Sequence, residues 1–223
     1  ELYNTFRKKG YDIRYSILTY FFPDFTLKEE YDDIVVKAGK TFVIDKPTIV
    51  NGDIKVERGG SLLMNGGILK IYGGIIADGG RVRLYNTRIR VLKNGYEYFL
   101  RIDNAAIVQI SDSFIDCGKF TGFMKQTSGR LIVSDTIINN IARNRALAFY
   151  GRSAVISRCR FINCDDGALA LYKGARVEIE NCEFTNCEAE YGAAVYSESI
   201  GNVKCENCVF DECKARYLGA AIY

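Results

Sequence analysis

The sequence predicts an all-β fold, a single-stranded right-handed parallel β-helix of about eight coils over residues 34–223, preceded by an N-terminal cap over residues 1–33. A Cys-x-Phe-x-x-Cys segment recurs about every two dozen residues, and a run of small residues ending in tyrosine follows each copy. The three clearest copies are Cys159–Cys164, Cys182–Cys187 and Cys208–Cys213. A fixed period of this length is typical of solenoids, in which each repeat is one coil that buries its apolar side only against its neighbours.

The first 33 residues do not follow the repeat and mix aromatic with charged side chains. Thr26-Leu27-Lys28-Glu29 has the form of a capping box, which predicts a short helix near residues 27–32. We expect this segment to shield the first coil.

Short β-branched strands begin at residue 34. Ile34–Val36, Thr41–Ile44 and Thr48–Val50 are separated by turn residues, and the glycine pairs 59–60, 66–67 and 73–74 mark the turns that follow. Three strands and three turns in each coil predict a triangular cross-section.

Equivalent side chains of successive coils are expected to stack about 4.8 Å apart. Aligning the repeats predicts an apolar column of Ile89, Phe114, Ile137, Phe161, Phe184 and Phe210. A tyrosine column is predicted at Tyr150, Tyr172, Tyr196 and Tyr223. A polar column that satisfies the backbone groups of a tight bend is predicted at Asp116, Asn139, Asn163, Asn186 and Glu212.

The eight cysteines fall largely into two further columns. Cys159, Cys182 and Cys208 form one, and Cys164, Cys187 and Cys213 form the other, with Cys117 two coils below Cys164 and Asn140 between them. Free thiols suit inward positions, and neighbours one coil apart also lie within disulfide range, although an odd column cannot pair fully. Cys205-x-x-Cys208 lacks the second close pair that a zinc site needs. Reduced columns, several disulfides and a metal site therefore stay open as alternatives.

These repeats resemble the pectate-lyase-like right-handed β-helix superfamily over roughly residues 34–223. The Phe-x-Asn-Cys and Gly-Ala-Ala-Val/Ile-Tyr segments are similar in style to surface β-helix proteins, namely the polymorphic outer-membrane adhesins of chlamydiae and Cys-rich surface proteins of protists. The adhesins carry Gly-Gly-Ala-Ile and Phe-x-x-Asn, whereas this chain has Gly-Ala-Ala and, except at Asn140, Cys in place of that Asn. The resemblance implies an extracellular or cell-surface location.

The composition limits the chemistry. A net charge of +3 lacks the basic excess of a dedicated nucleic-acid binder, and the absence of histidine excludes Ser-His-Asp and Cys-His catalysis. Among β-helix enzymes, the hydrolases with clustered aspartates are approached only by Asp165-Asp166, without the flanking motifs of that family. The Ca²⁺-dependent lyases would need carboxylates such as Asp112, Asp116 and Asp135 with Arg101 or Arg158, and no motif selects these. We expect no catalytic residues, no cofactor and no metal.

A basic surface is the stronger candidate for a site. Arg81 and Arg83 alternate with apolar residues, as do Arg88 and Arg90, so each pair is predicted on the outer face of its strand, with Tyr85 nearby. Arginine and tyrosine on a flat sheet suit an acidic glycan through charge pairing and ring contacts.

The sequence therefore favours a non-catalytic structural or adhesive module that binds a polysaccharide or protein along its flat faces, with a polysaccharide lyase or hydrolase as the alternative. No apolar run approaches the ~20 residues that span a bilayer, so no membrane insertion is expected. The final strand, Leu218–Tyr223, predicts an uncapped C-terminal coil that is truncated, covered by a partner or used in self-assembly.

Overall fold

The computed structural model describes residues 29–93, 95–104, 106–172, 174–198 and 201–223, which form a solenoid of three parallel sheets. Sheet A contains β1 (Glu29–Tyr31), β4 (Thr48–Val50), β7 (Ile68–Ile71), β10 (Arg88–Val91), β13 (Phe114–Asp116), β16 (Ile137–Ile141), β19 (Arg160–Cys164), β22 (Glu183–Tyr191) and β25 (Val209–Asp211). Sheet B contains β2 (Ile34–Val36), β5 (Ile54–Val56), β8 (Ile75–Asp78), β11 (Tyr98–Asp103), β14 (Gly122–Gln126), β17 (Leu147–Phe149), β20 (Leu169–Leu171) and β23 (Val195–Ser197). Sheet C contains β3 (Thr41–Ile44), β6 (Ser61–Asn65), β9 (Arg81–Tyr85), β12 (Ile107–Ser111), β15 (Arg130–Ser134), β18 (Ser153–Ser157), β21 (Arg176–Glu180) and β24 (Val203–Glu206), and β26 (Lys214–Leu218) pairs with the second half of β22.

The chain visits sheets A, B and C in turn, so every three consecutive strands make one coil. The described residues complete eight coils between β1 and β24, and β25 begins another. The all-β parallel solenoid is confirmed, as are the three strands at Ile34–Val36, Thr41–Ile44 and Thr48–Val50.

The first coil begins earlier than predicted. Glu29–Tyr31 is a strand that pairs in parallel with Thr48–Val50, so the helix predicted near residues 27–32 is wrong at these positions. Asn51 donates its N–H to the Tyr31 carbonyl at 2.8 Å, and such sheet pairing outweighs a local capping signal. Residues 1–28 of the predicted cap lie outside the described residues.

Alternating burial along each strand builds one continuous apolar interior. In sheet B a single inward column comprises Ile34, Ile54, Ile75, Leu100, Met124, Leu147, Leu169 and Val195. Fully burying such a side chain stabilises the fold by about 1.5–3 kcal/mol. Each coil gains this only by stacking on the next.

The phenylalanine column of sheet A differs from the prediction by one residue in two coils. The register aligns Ile89, Ile115, Ile138, Phe161, Phe184 and Phe210. Phe114 and Ile137 lie instead in the neighbouring outward column, in register with Arg88 and Arg160, so their predicted places are wrong. The rings of Phe161, Phe184 and Phe210 are parallel, with centroids 5.2 and 5.4 Å apart.

One residue in the left-handed conformation turns the chain from sheet C to sheet A in seven successive coils. These residues are Gly66, Asn86, Asp112, Asp135, Arg158, Asn181 and Asn207. Each of the first six donates its backbone N–H to a carbonyl in the following coil, as Asp135 does to Ser157 at 3.0 Å. Short polar side chains and glycine tolerate this conformation, which explains why Asn, Asp and Gly dominate the bend.

The predicted amide column lies at the bend from sheet A to sheet B. Asn186 donates to Asn163 at 2.7 Å, Asn163 donates to the side chains of Asn139 at 3.1 Å and Asn140 at 3.4 Å, and Asn140 donates to Asp116 at 2.9 Å. The left-handed residues of this column are Asn140, Asn163, Asn186 and Glu212. Asn140 therefore takes the bend position predicted for Asn139, which instead pairs in register with Asp116 and Ile162.

The cysteine columns share a pattern of hydrogen bonds to the backbone. Register places Cys159, Cys182 and Cys208 in line with Thr136 and Ser113 of the earlier coils. Each of these five side chains donates to the carbonyl two residues before it, from Ser113 at 2.7 Å to Cys182 at 3.4 Å. Cys164 pairs in register with Cys187, but Ile141 rather than Asn140 lies beneath Cys164, so that part of the prediction is wrong. All eight cysteines are free thiols in the structure.

Candidate functional site

The five residues predicted to bind a glycan lie on two different faces. Arg81, Arg83 and Tyr85 project from β9 in sheet C, whereas Arg88 and Arg90 project from β10 in sheet A. The left-handed bend at Asn86 separates the two strands, so one flat surface does not carry all five. The Tyr85 hydroxyl donates to Gln109 at 3.1 Å, and Arg90 Nε lies 3.7 Å from the buried carboxylate of Asp116.

A second face brings together side chains from more coils. We call the outer surface of sheet B between β11 and β23 the B face; it carries Arg101, Lys125, Tyr150, Tyr172 and Tyr196. The rings of Tyr150 and Tyr172 stack with centroids 4.3 Å apart, and the ring of Tyr196 lies edge-on to Tyr172 at 6.3 Å. The rings of Tyr196 and Tyr223 are stacked at 5.8 Å, so the ladder extends past β23.

Register explains why the tyrosine ladder changes geometry at Tyr196. Tyr150 and Tyr172 directly follow equivalent strands, but the Cα partner of Tyr196 is Ala170, two residues before Tyr172. The predicted place of Tyr196 in one column with Tyr150 and Tyr172 is therefore wrong, although its ring still contacts that of Tyr172. Ala148 and Ala170 occupy the outward column between Lys125 and Tyr196. Their small side chains are buried.

Arg145 links three coils by hydrogen bonds at the margin of the B face. Its guanidinium donates to the carbonyls of Gly192 at 2.7 Å and Leu169 at 3.2 Å, as well as to that of Tyr191. Arg145 also lies over the ring of Tyr196, with Cζ 4.9 Å from the centroid. A Cβ at Gly167 would lie 2.6 Å from Arg145 Nη1, and the φ of Gly167 is 89°, a conformation that favours glycine. Burial lowers the pKa of Arg145, and its carbonyl partners satisfy the charged group.

A cleft of about 400 Å³ lies at the other end of the B face. Tyr96, Tyr98, Arg101 and Lys125 line it together with Gly95, Glu97, Asp103 and Thr127. The guanidinium of Arg101 lies over the ring of Tyr96 at 4.1 Å, and the Tyr96 hydroxyl donates to Asp53 at 2.7 Å. Burial raises the pKa of Tyr98 well above its ordinary value, so its hydroxyl is a neutral hydrogen-bonding group.

An acidic cleft of about 520 Å³ adjoins the strand pair formed by β22 and β26. It is lined by Asp165, Asp166, Glu188, Glu190, Lys214 and Arg216 with Ala189 and Ala215. Lys119 pairs with Asp165 at 2.9 Å, whereas burial raises the pKa of Asp166 and Glu190 adds to the rise against the opposing effect of Arg145. The cleft therefore contains one carboxyl group with a raised proton affinity.

The other carboxylates considered for a lyase do not converge. Asp112 and Asp135 lie in the bend between sheets C and A, and Asp135 forms two hydrogen bonds with Arg158 at 2.6 and 2.7 Å. Asp116 is buried beneath the amide ladder, and Arg101 belongs to the B face. Among the described residues, no three His, Cys, Asp or Glu side chains are placed to hold a metal ion.

Sequence reasoning missed Lys125 and Arg145 as members of a site. Arg101 and Lys125 lie 24 residues apart, which is one coil, and this spacing was the available signal for a pair of neighbouring cations. No comparable signal marks Arg145, because its partners are backbone carbonyls of later coils.

Within the described ranges, no helix has the length and apolarity required to span a bilayer.

Comparison with known proteins addresses the fold alone. No curated protein and no solved structure matches the chain significantly. Residues 72–223, more than half of the chain, match the family described as "Right handed beta helix region". With the three parallel sheets described above, this match shows that the chain belongs to the right-handed β-helix family.

Proposed function

We propose that the chain is a non-catalytic binding module of an extracellular or cell-surface protein, and that it holds an extended glycan along the B face. The observation that carries the proposal is the row of Arg101, Lys125, Tyr150, Tyr172 and Tyr196, which crosses five successive coils on one surface. The surface location rests on the repeat style of the sequence.

The form of the tyrosine ladder indicates how such a ligand is held. The rings of Tyr150 and Tyr172 are nearly parallel, at 10°, so their faces are occupied by each other. The ladder therefore offers ring edges and hydroxyl groups to solvent, and hydroxyl groups both donate to and accept from sugar hydroxyls. A rigid sheet holds these groups in place before the ligand arrives, which reduces the entropy lost on binding.

Glycan-array screening followed by isothermal titration tests the proposal. Replacing both Tyr150 and Tyr172 with alanine is expected to weaken binding of the selected glycan about tenfold or more, because each residue supplies hydrogen bonds and apolar contact. Tyr85→Ala in sheet C is the matched control and should leave affinity unchanged.

Equal loss for Tyr85→Ala and the B-face variant would contradict this site and favour the sheet C surface around Arg81 and Arg83, the second candidate glycan surface. No binding of any glycan by the folded wild-type chain would overturn the proposed function.

Self-assembly is a second mode of association within the proposal. Val209, Tyr217 and Leu218 in the last two strands are 57%, 57% and 58% exposed, and the free edge of a sheet is a template for pairing with another chain. Sedimentation velocity over a concentration series should show association that Leu218→Lys prevents, and a monomer at every concentration would exclude it.

A polysaccharide hydrolase or lyase is the alternative function, and the raised pKa of Asp166 in the acidic cleft favours it. A raised pKa favours the protonated form of a carboxyl group, which is the form that a general acid requires. Incubation with polygalacturonate and Ca²⁺, followed by absorbance of unsaturated products and by reducing-end analysis, separates the two functions. Product that disappears in Asp166→Asn would replace the binding-module proposal with an enzyme.

A further inference from the structure

We infer that Arg101 and Lys125 form an oxyanion subsite on the B face, so that the glycan held there carries carboxylate or sulfate groups. This inference rests on the proposed function and specifies the class of its ligand.

The two cations are register neighbours on one surface. Arg101 in β11 and Lys125 in β14 are Cα partners, and side chains at such positions lie about 4.8 Å apart at their bases. Like charges placed side by side in a sheet are destabilising. Among the described residues, neither side chain forms an ion pair that would relieve this repulsion. An anion between them would convert the repulsion into two attractions.

The orientation of Arg101 is fixed before any ligand binds. Its guanidinium lies over the ring of Tyr96, and the Tyr96 hydroxyl donates to Asp53, whose other oxygen accepts the Gly74 N–H at 2.9 Å. Arg101 Nε is buried and has no hydrogen-bond acceptor among the described residues. The guanidinium is thus held as a planar donor whose hydrogen-bonding capacity the chain leaves incompletely used.

Among the described residues, the two carboxylates of the cleft form no ion pair with the two cations. Asp103 and Glu97 also line the cleft, but Asp103 accepts a hydrogen bond from the Thr127 hydroxyl at 2.6 Å. Lys125 Nζ lies 6.0 Å from the ring of Tyr150, so it stands between the cleft and the tyrosine ladder. An acidic sugar bound to Arg101 and Lys125 would continue directly onto Tyr150.

The chemistry of the pair selects oxyanions. A guanidinium binds carboxylate or sulfate through two parallel hydrogen bonds, and an ammonium adds a point charge that pairs with either. With two carboxylates in the same cleft, a uniformly charged polyphosphate chain is disfavoured by repulsion. A glycan with spaced carboxylate or sulfate groups fits the arrangement.

The first test uses inorganic sulfate as the probe and NMR as the readout, at constant ionic strength adjusted with chloride. We expect saturable shifts of the Lys125 amide and the Arg101 Nε–Hε signals. Lys125→Gln should abolish them, and Arg130→Gln, which removes one charge from an exposed position of sheet C, should leave them unchanged. Shifts that are absent or non-saturable, or that persist unchanged in Lys125→Gln, would overturn the subsite.

The second test compares glycans by isothermal titration. Oligogalacturonate and a sulfated oligosaccharide are set against the methyl ester of the first and the desulfated form of the second, which separates carboxylate from sulfate as the recognised group. At least one acidic form should bind about tenfold or more tightly than its neutral counterpart, and Lys125→Gln should remove that difference.

The titrations distinguish failure of the oxyanion subsite from failure of glycan binding as a whole. Equal affinity for acidic and neutral forms, still sensitive to Tyr150 and Tyr172, would overturn the subsite and leave the proposed function standing. Saturable sulfate shifts without any glycan binding would overturn the proposed function. Because Arg101→Gln also removes the contact with Tyr96, Lys125→Gln is the deciding variant.

Discussion

Asp116 is a carboxylate at the foot of a ladder of amides. It is 1% exposed and accepts hydrogen bonds from Asn140 and from the Gly118 N–H at 3.0 Å. Burial raises the pKa of Asp116, and these donors together with Arg90 only partly oppose the rise. The position therefore needs an acceptor oxygen more than it needs a charge.

Asp116→Asn should keep the acceptor and remove the charge, so we expect the free energy of unfolding at pH 7 to stay within about 1 kcal/mol of wild type or to increase. Since the pKa is higher in the folded state, protonated Asp116 contributes stability below the ordinary value of 3.8, and that contribution is lost as pH rises through the folded value. Urea unfolding from pH 3 to 7 should show this pH-dependent contribution in wild type and not in Asp116→Asn.

Asp116→Ala is the contrasting variant for that series. It leaves the donors of Gly118 and Asn140 without an acceptor and should cost about 1–3 kcal/mol. Equal destabilisation by alanine and asparagine would show that the charge itself stabilises the fold.

Asn163 combines an unusual backbone with a place in the middle of the ladder. Its φ is 55°, and its side chain both donates to Asn140 and accepts from Asn186. Asn163→Ala should cost about 2–4 kcal/mol from the left-handed conformation and the lost hydrogen bonds together. Asn163→Gly tolerates the conformation and should recover about 1–2 kcal/mol of that loss. Thermal and urea unfolding measure both, and identical losses would assign the whole effect to hydrogen bonds.

At the scale of the strand, one column accepts threonine, serine or cysteine for the same reason. Each side chain donates to the carbonyl two residues earlier while filling a small buried space at the start of a sheet A strand. A thiol does so with less polarity than a hydroxyl. This local role accounts for Cys159, Cys182 and Cys208 without a disulfide or a metal.

Thiol accessibility should follow the position of each coil. Cys205, Cys208 and Cys213 are half-buried, whereas Cys117, Cys159, Cys164, Cys182 and Cys187 are buried. Maleimide labelling with peptide mass mapping should modify the first three in the native protein and the other five only in denaturant. Burial, assisted by Cys208, raises the pKa of Cys205 to about 12, so its labelling should accelerate towards alkaline pH. Rapid labelling of Cys164 or Cys187 in the native protein would contradict the burial of these two side chains.

The same column explains which parts of the fold were predictable. The Cys-x-Phe pattern marks the repeat where cysteine holds the position, and it is absent where Ser113 and Thr136 replace the cysteine. Treating those residues as equivalents of Cys159 would have placed Ile115 and Ile138, not Phe114 and Ile137, beneath Phe161. Strand bounds and inward faces followed from local alternation, which needs no such alignment.

The candidate site was less predictable from the sequence. Alternation along a strand indicates that a side chain faces solvent, but it does not indicate which of the three sheets the strand belongs to. Arg83 and Arg88 both point outward, yet the bend at Asn86 sends them to different sheets. Likewise the long β22, which pairs with β26, creates the acidic cleft beside Asp166 through a contact that no short-range pattern encodes.

At the scale of the whole molecule, stability is carried from coil to coil. Phe184 stacks between Phe161 and Phe210 and is 0% exposed, whereas residues two coils away do not touch it through the ladder. Solenoids of this kind behave as nearest-neighbour chains, in which a defect acts mainly on adjacent repeats.

Phe184→Ala should therefore destabilise locally, by about 3–5 kcal/mol for the cavity it leaves. Hydrogen–deuterium exchange should accelerate in β19, β22 and β25 and remain near wild type in β4, β7 and β10. Phe210→Ala, in a half-buried position, should show a smaller effect. Uniform acceleration along the chain would mean that the coils unfold as one cooperative unit.

The constant interval between coils has a consequence for any polymer that lies along the B face. Groups repeated on successive strands recur at multiples of about 4.8 Å, because backbone pairing sets that interval and side chains cannot alter it. The B face therefore presents binding groups at a fixed spacing. A linear ligand can contact the group on every coil only when the length of its own repeating unit matches a multiple of that spacing. Selectivity between polymers of similar composition then follows from the pitch of the ligand as much as from its chemical groups.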